Sequence, residues 1–155
     1  MGTRSEIWIK KGDDVVKLYK HWDGYPQFMM PYLKEFAEFA ARGVGDQLHW
    51  LSYPEDVAAL LIAFDYEDLR RAELGYYRPD IRPKGRINDF IEYVYVLELE
   101  LRDLNETSWT VKCYKVKGLK EADAVGEGDL ELRATFTAIF KLGERGVEVQ
   151  LTFSP

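Results

Sequence analysis

The chain has 155 residues, 46% of them hydrophobic and 14% aromatic, which predicts one domain with a substantial buried core. A net charge of −6 argues against general nucleic-acid binding through bulk electrostatics. The single cysteine excludes an internal disulfide, and no apolar run approaches the roughly 20 residues that span a bilayer, so we expect a cytoplasmic protein without membrane contact.

A β-hairpin is predicted over residues 1–23. Two alternating segments, Glu6–Lys11 and Val15–Trp22, flank the turn residues Gly12-Asp13-Asp14, as expected for paired antiparallel strands. Because successive side chains of a strand point to opposite faces, we expect one face to be apolar and the other to carry the polar groups. The apolar face would carry Val16, Leu18 and Trp22, and the other Tyr19, His21 and Asp23.

Residues 27–74 are predicted to be helical. Apolar side chains recur at three- and four-residue spacing from Met29 to Ala40 and again from Val57 to Phe64, which is typical of amphipathic helices. A third helical turn is predicted to restart at Asp65. Residues 75–89 contain Pro79, Pro83 and Gly85, so we expect an irregular segment there.

The clearest pattern lies in residues 90–153, where apolar and polar residues alternate through four segments. Such alternation is typical of antiparallel strands that are covered on one face. The sequence therefore predicts an α+β fold. We expect a single domain with a mainly antiparallel sheet of about six strands, and two or three helices inserted after the hairpin and packed on one face.

The segment Tyr19–Pro26 is the strongest candidate for a site, because it joins the hairpin to the first helix. His21 and Asp23 lie two residues apart, and Tyr25 adds a hydroxyl. An imidazole beside a carboxylate is suited to general acid–base catalysis, so His21, Asp23 and Tyr25 are the candidate catalytic residues. The alternative is a structural junction, in which these side chains hold the turn and Trp22 joins the core.

A second candidate is the loop that follows the helices. From Arg70 to Arg86 the chain has six basic residues and two acidic ones. Cations mixed with tyrosines are suited to phosphate contact and base stacking, although such a loop can also be an ordinary solvated one. The candidate ligand-binding residues are Tyr76, Tyr77, Arg78, Arg82, Lys84 and Arg86.

Neither a metal site nor a cofactor is predicted. His49 lies between the helices and would add a metal ligand only if it met His21. The acidic segment from Glu121 to Asp129 lacks the order of a calcium loop, so we expect a solvated turn. Abundant Lys, Arg and Glu with few Asn, Gln and Cys is a composition typical of thermophiles.

Three motifs resemble those of a group of small uncharacterised proteins from phages and prokaryotes. They are an N-terminal Gly2-Thr3-Arg4, the turn Trp22-Asp23-Gly24-Tyr25-Pro26, and the strand Tyr93-Val94-Tyr95. The resemblance covers roughly residues 1–117 and does not extend to the last two strands. It implies no activity, but it implies that Arg4, Asp23 and Tyr93 cluster, so Arg4 joins the candidate ligand-binding residues as part of an anion-binding corner or a structural clasp.

These observations favour a small binding protein over an enzyme. The partner would be another protein, a second copy or a phosphate-bearing ligand, with nucleotide or nucleic acid less well supported. A homodimer would cover the apolar residues on the polar sheet face, which are Val94, Val96, Tyr114 and Ile139. The alternative is a hydrolase or nuclease-like enzyme that uses His21 and Asp23.

Overall fold

The computed structural model describes residues 2–71, 80–85 and 90–153. Two helices are described, α1 (Pro26–Gly43) and α2 (Pro54–Arg71), together with short 3-10 turns at Leu48–Ser52, Ala122–Ala124 and Glu127–Asp129. The described strands are β1 (Ser5–Lys11), β2 (Asp14–Lys20), β3 (Ile81–Pro83), β4 (Phe90–Asp103), β5 (Glu106–Glu121), β6 (Leu130–Gly143) and β7 (Gly146–Phe153).

The described strands form one sheet in the order β3-β2-β1-β4-β5-β6-β7. Every pairing is antiparallel except that of β1 with β4, which is parallel. The chain leaves the β1–β2 hairpin, forms both helices, and returns to lay β4 on the free side of β1. The N-terminal strand therefore lies inside the sheet. Within the described residues, neither helix is both long and apolar enough to cross a bilayer.

The predicted α+β class is confirmed, but three details of the prediction are wrong. The sheet has seven described strands instead of about six. The extra strand is β3, a short strand inside the segment predicted to be irregular, which pairs with β2. The two described helices agree with the predicted two or three, but no separate turn restarts at Asp65, because α2 continues through that residue without a break.

One face of the sheet packs against both helices and forms the larger core. The buried residues of α1 lie on one stripe, as the sequence predicts, and they include Met29, Leu33 and Phe36. Trp109 is the central side chain: its ring stacks on Phe36 with centroids 5.4 Å apart, and its Nε1 donates to the Leu51 carbonyl at 2.7 Å. Cys113 is fully buried as predicted, and burial raises the pKa of its thiol to about 11.

The opposite face carries a smaller apolar cluster that the chain covers with its own β5–β6 connection. Val94 and Val96 are buried there against Ala122 and Val125. A homodimer was expected to cover the apolar residues of this face. Val94, Val96 and Tyr114 are instead covered at least partly within one chain. The acidic side chains of the connection are partly solvated, as predicted, yet they also form ion pairs: Asp123 with Lys84, Glu127 with Lys10, and Asp129 with Lys120.

A close backbone contact at Gly24 joins the turn after β2 to the start of β1. The Gly24 N–H donates to the Thr3 carbonyl at 2.8 Å, and the Gly24 carbonyl accepts from the buried Tyr95 hydroxyl at 2.6 Å. A Cβ at Gly24 would lie 2.7 Å from the Ser5 Cβ and 2.8 Å from the Thr3 carbonyl oxygen. Only glycine fits, because this clash involves backbone and not the end of a flexible side chain.

We expect Gly24→Ala to lower the free energy of unfolding by about 1 to 3 kcal/mol, the usual cost of forcing extra atoms into a packed site. Guanidinium denaturation measures this loss. Gly128→Ala is the matched control, since a Cβ there meets nothing within 4 Å. Equal stabilities of the two variants would contradict the close contact at Gly24.

Candidate functional site

The pairing of β2 with β3 brings the two sequence-predicted sites together. Tyr19 lies opposite Arg82 in this antiparallel pair, so the two side chains project from the same face of the sheet. Lys17 and His21 lie two residues to either side of Tyr19, and the two-residue period of β2 directs Lys17 to that face as well. We call Lys17, Tyr19, His21 and Arg82 the cationic face.

Aromatic rings support the charged groups of the cationic face. The Arg82 guanidinium lies 5.5 Å from the centroid of the Tyr19 ring, and the Lys17 Nζ lies 4.2 Å from that of Trp8. The Tyr19 hydroxyl and His21 Nδ1 share a hydrogen bond of 2.8 Å. These contacts hold the side chains in place, so less conformational entropy would be lost when they meet a ligand.

The positive charges of Lys17 and Arg82 are not neutralised by a carboxylate among the residues that the structure describes. Both side chains are partly solvent-exposed, as is His21. The protein as a whole is acidic, so this part of the surface differs in charge from the average. An anion that reaches it would meet positive charge without displacing an existing ion pair.

Lys84 was predicted to bind a ligand, but it is turned inward and paired. Its Nζ lies 3.1 Å from Asp123 and 3.5 Å from Glu6, and it donates to the Ala122 carbonyl at 3.4 Å. Glu6 is fully buried and its other oxygen accepts from Trp8 Nε1 at 2.9 Å. A buried carboxylate requires such a counter-charge, which gives Lys84 a structural role.

Two carboxylate contacts hold β3 in place, one to Lys20 of β2 and one to Asp65 of α2, and together we call them the β3 clasp. The buried Lys20 donates through Nζ to Asp80 at 2.6 Å, and its ammonium also lies 5.0 Å from the Phe28 ring centroid. The Asp65 carboxylate, equally buried, accepts from the Ile81 N–H at 2.9 Å and from the Tyr32 hydroxyl at 2.8 Å. A strand of three residues needs such contacts to keep its register.

The candidate catalytic residues are arranged differently from the prediction. His21 bonds to Tyr19, whereas the Asp23 charge acts on Tyr25 and raises the pKa of the Tyr25 hydroxyl above its ordinary value. Asp23 itself adopts a left-handed backbone with φ 53°, which turns the chain out of the strand. Trp22 is half exposed and does not join the core, and its ring meets the His21 ring edge-on at 4.7 Å.

Of the predicted cluster of Arg4, Asp23 and Tyr93, the backbone places Arg4 close to Tyr93. Arg4 accepts from the Glu92 N–H through its carbonyl at 2.9 Å, next to the pairing of Ser5 with Tyr93. The tyrosine whose hydroxyl reaches the turn is Tyr95. Four other predicted ligand-binding residues lie outside the described residues: Tyr76, Tyr77, Arg78 and Arg86.

The two histidines have separate surroundings. His49 is exposed on the turn Leu48–Ser52, and its ring lies near Trp50 and Tyr53. The ring neighbours of His21 are Tyr19 and Trp22, so the suggested meeting of the two imidazoles does not occur. In the described parts of the chain, no three His, Cys, Asp or Glu side chains are grouped to hold a metal ion.

Comparison of the chain with models of known protein families, with curated proteins and with solved structures finds no match. The resemblance to the phage and prokaryotic group therefore stays a prediction.

The β3 clasp leads to a test by double-mutant cycle. Lys20→Met should lower the free energy of unfolding by about 3 to 5 kcal/mol, because it leaves the Asp80 carboxylate in a poorly solvated place without its partner. The double variant Lys20→Met, Asp80→Asn should be more stable than Lys20→Met alone, since the uncompensated charge is then gone. Guanidinium unfolding of these two variants and of Asp80→Asn alone completes the cycle, and simple additivity of the two single changes would show that the pair is not coupled.

Proposed function

We propose that the protein is a binding module for a small phosphate-bearing ligand, which it holds on the cationic face. The supporting observation is that the Arg82 guanidinium lies over the Tyr19 ring, whose hydroxyl is hydrogen-bonded to His21. Lys17 lies two residues before Tyr19 on β2. A guanidinium binds phosphate oxygens through paired, charge-assisted hydrogen bonds. The ammonium and the imidazole add further donors on the same surface.

The spacing of the donors favours a ligand with more than one phosphate group. Lys17 and His21 are four residues apart on an extended chain, which corresponds to roughly 13 Å between their Cα atoms. Arg82 lies opposite the midpoint of this line, at Tyr19. A single phosphate can contact Arg82 and one neighbour, whereas a chain of phosphates can contact all three.

The charge of the whole protein favours a small ligand over a long nucleic acid. The net charge is −6, and a duplex would meet repulsion wherever it extended beyond the cationic face. A small anion contacts the face alone. Nucleotides and other phosphorylated metabolites belong to this class.

The alternative of a hydrolase that uses His21 and Asp23 has less support. An Asp–His pair works when the carboxylate orients the imidazole, but Asp23 interacts with the Tyr25 hydroxyl, whose pKa it raises. The partner that orients the His21 ring is the Tyr19 hydroxyl. A hydrogen-bonded imidazole of this kind is suited to holding an anion.

Titration with inorganic tripolyphosphate at low ionic strength tests the proposal. We expect saturable binding by calorimetry, with an affinity that falls as salt is added because the contacts are ionic. Arg82→Gln should weaken binding at least tenfold, since a hydrogen bond to a charged group contributes about 1.5 to 3 kcal/mol. Lys17→Gln should weaken it by a smaller factor.

Arg145→Gln is the matched control. It removes the same charge, but Arg145 is exposed in the hairpin between β6 and β7 at the opposite edge of the sheet. It should therefore bind tripolyphosphate almost as well as the unmodified protein. Absence of binding at low salt, or an equal loss in the Arg82 and Arg145 variants, would rule out a ligand site on the cationic face.

A further inference from the structure

The two edges of the sheet differ in how they are protected against pairing with another strand. The β3 edge is three residues long and contains Pro83, which lacks an N–H to donate. The β7 edge is eight residues long and contains neither proline, lysine nor arginine. Short length, proline and charged side chains, lysine above all, are features that usually keep an edge strand from pairing, and β7 has only one of them, the single charge of Glu148.

The β7 strand is also regular. It pairs with β6 at every residue from Gly146 to Phe153 without a bulge. No bulge therefore turns its outer edge away from an approaching strand. No further strand lies beyond it among the described residues. A regular extended strand with an open row of backbone donors and acceptors is a template for another strand.

The apolar side chains of β7 on the side of the sheet that faces the helices are not fully covered. On the helix-facing side of β7, Val147, Val149 and Leu151 are only partly buried against the main core. Phe153 at the end of the strand is 57% exposed, and the Lys34 ammonium lies 4.0 Å from its ring centroid. A strand added here would extend the sheet and continue this apolar layer.

We propose that β7 pairs with β7 of a second copy, antiparallel across a two-fold axis at Gln150, to form one sheet continuous through both copies. An axis perpendicular to the sheet keeps the faces of the two copies aligned, so each residue lies opposite one that projects to the same side. In this register Val149 lies opposite Leu151 of the second copy, and Val147 lies opposite Phe153. Apolar side chains therefore meet apolar side chains.

The charge pattern of the strand is what makes a second copy the fitting partner. Glu148 is the only charged residue in β7, and in this register it lies opposite Thr152 of the second copy. The two glutamates are thus kept apart, and no like charges face one another. Glu148, Gln150 and Thr152 are all exposed in the single chain, so their side chains are accessible to those of a second copy.

Lysine and glutamate at position 152 should change the dimer dissociation constant in opposite directions, and this difference tests the register. The two-fold axis creates two equivalent pairs of residue 152 with Glu148 of the other copy. Thr152→Lys makes both pairs attractive, and Thr152→Glu makes both repulsive. Cross-strand charge pairs are modest individually, so we expect the dimer dissociation constant to fall about tenfold with lysine and to rise about tenfold with glutamate. Sedimentation equilibrium at several protein concentrations measures it, and thermal melts check that both variants fold.

Thr110→Lys and Thr110→Glu are the matched controls, since Thr110 lies on β5, two strands inside the edge, and projects from the same face as Thr152. They should leave the dissociation constant unchanged. A protein that stays monomeric at the highest soluble concentration would overturn the proposal. So would equal effects of lysine and glutamate at Thr152, or effects matched by the Thr110 variants.

Discussion

The position of β3 depends on two carboxylates, the buried Asp65 and the partly buried Asp80, and the candidate site depends on β3. A three-residue strand at the edge of a sheet has too few backbone hydrogen bonds to fix its own register. Asp80 and Asp65 supply what is missing, through the Lys20 ammonium and the Ile81 N–H. Arg82 comes directly after Ile81 in β3. The β3 clasp therefore fixes the backbone from which the Arg82 guanidinium reaches the Tyr19 ring. An ionic contact on the helix side of the sheet thus positions a cation on the other side.

Much of the fold could be predicted from the sequence, because alternation and helical spacing report which side chains are buried. The hairpin, both helices and the four C-terminal strands follow from these patterns. The short β3 could not be predicted, since a strand of three residues ending in proline has no period to detect, and its contacts come from Asp65 and Lys20, distant in the chain. Strand order could not be predicted either, because the parallel contact of β1 with β4 joins segments more than eighty residues apart.

Some residues of the candidate site could be named from the sequence, but their grouping could not. His21 and Arg82 were both named, but in different candidate sites, and only the pairing of β2 with β3 unites them. The ion pairing of Lys84 could not be predicted, because the sequence alone does not reveal the buried Glu6 beside it. One signal was available: Lys20 continues the inward-facing series Val16 and Leu18, and a charged residue at such a position requires a buried partner. That partner is Asp80, the residue that anchors β3.

The central claim is that Lys17, Arg82 and His21 form one surface for a phosphate-like anion. A crystal structure of the protein soaked in tungstate, a heavy analogue of phosphate that anomalous scattering locates, tests this claim most directly. The claim predicts an anion within hydrogen-bonding distance of the Arg82 guanidinium and of His21 or Lys17, with Arg82 still over the Tyr19 ring. Tungstate bound only at other sites, or an Arg82 side chain turned away from Tyr19, would contradict it.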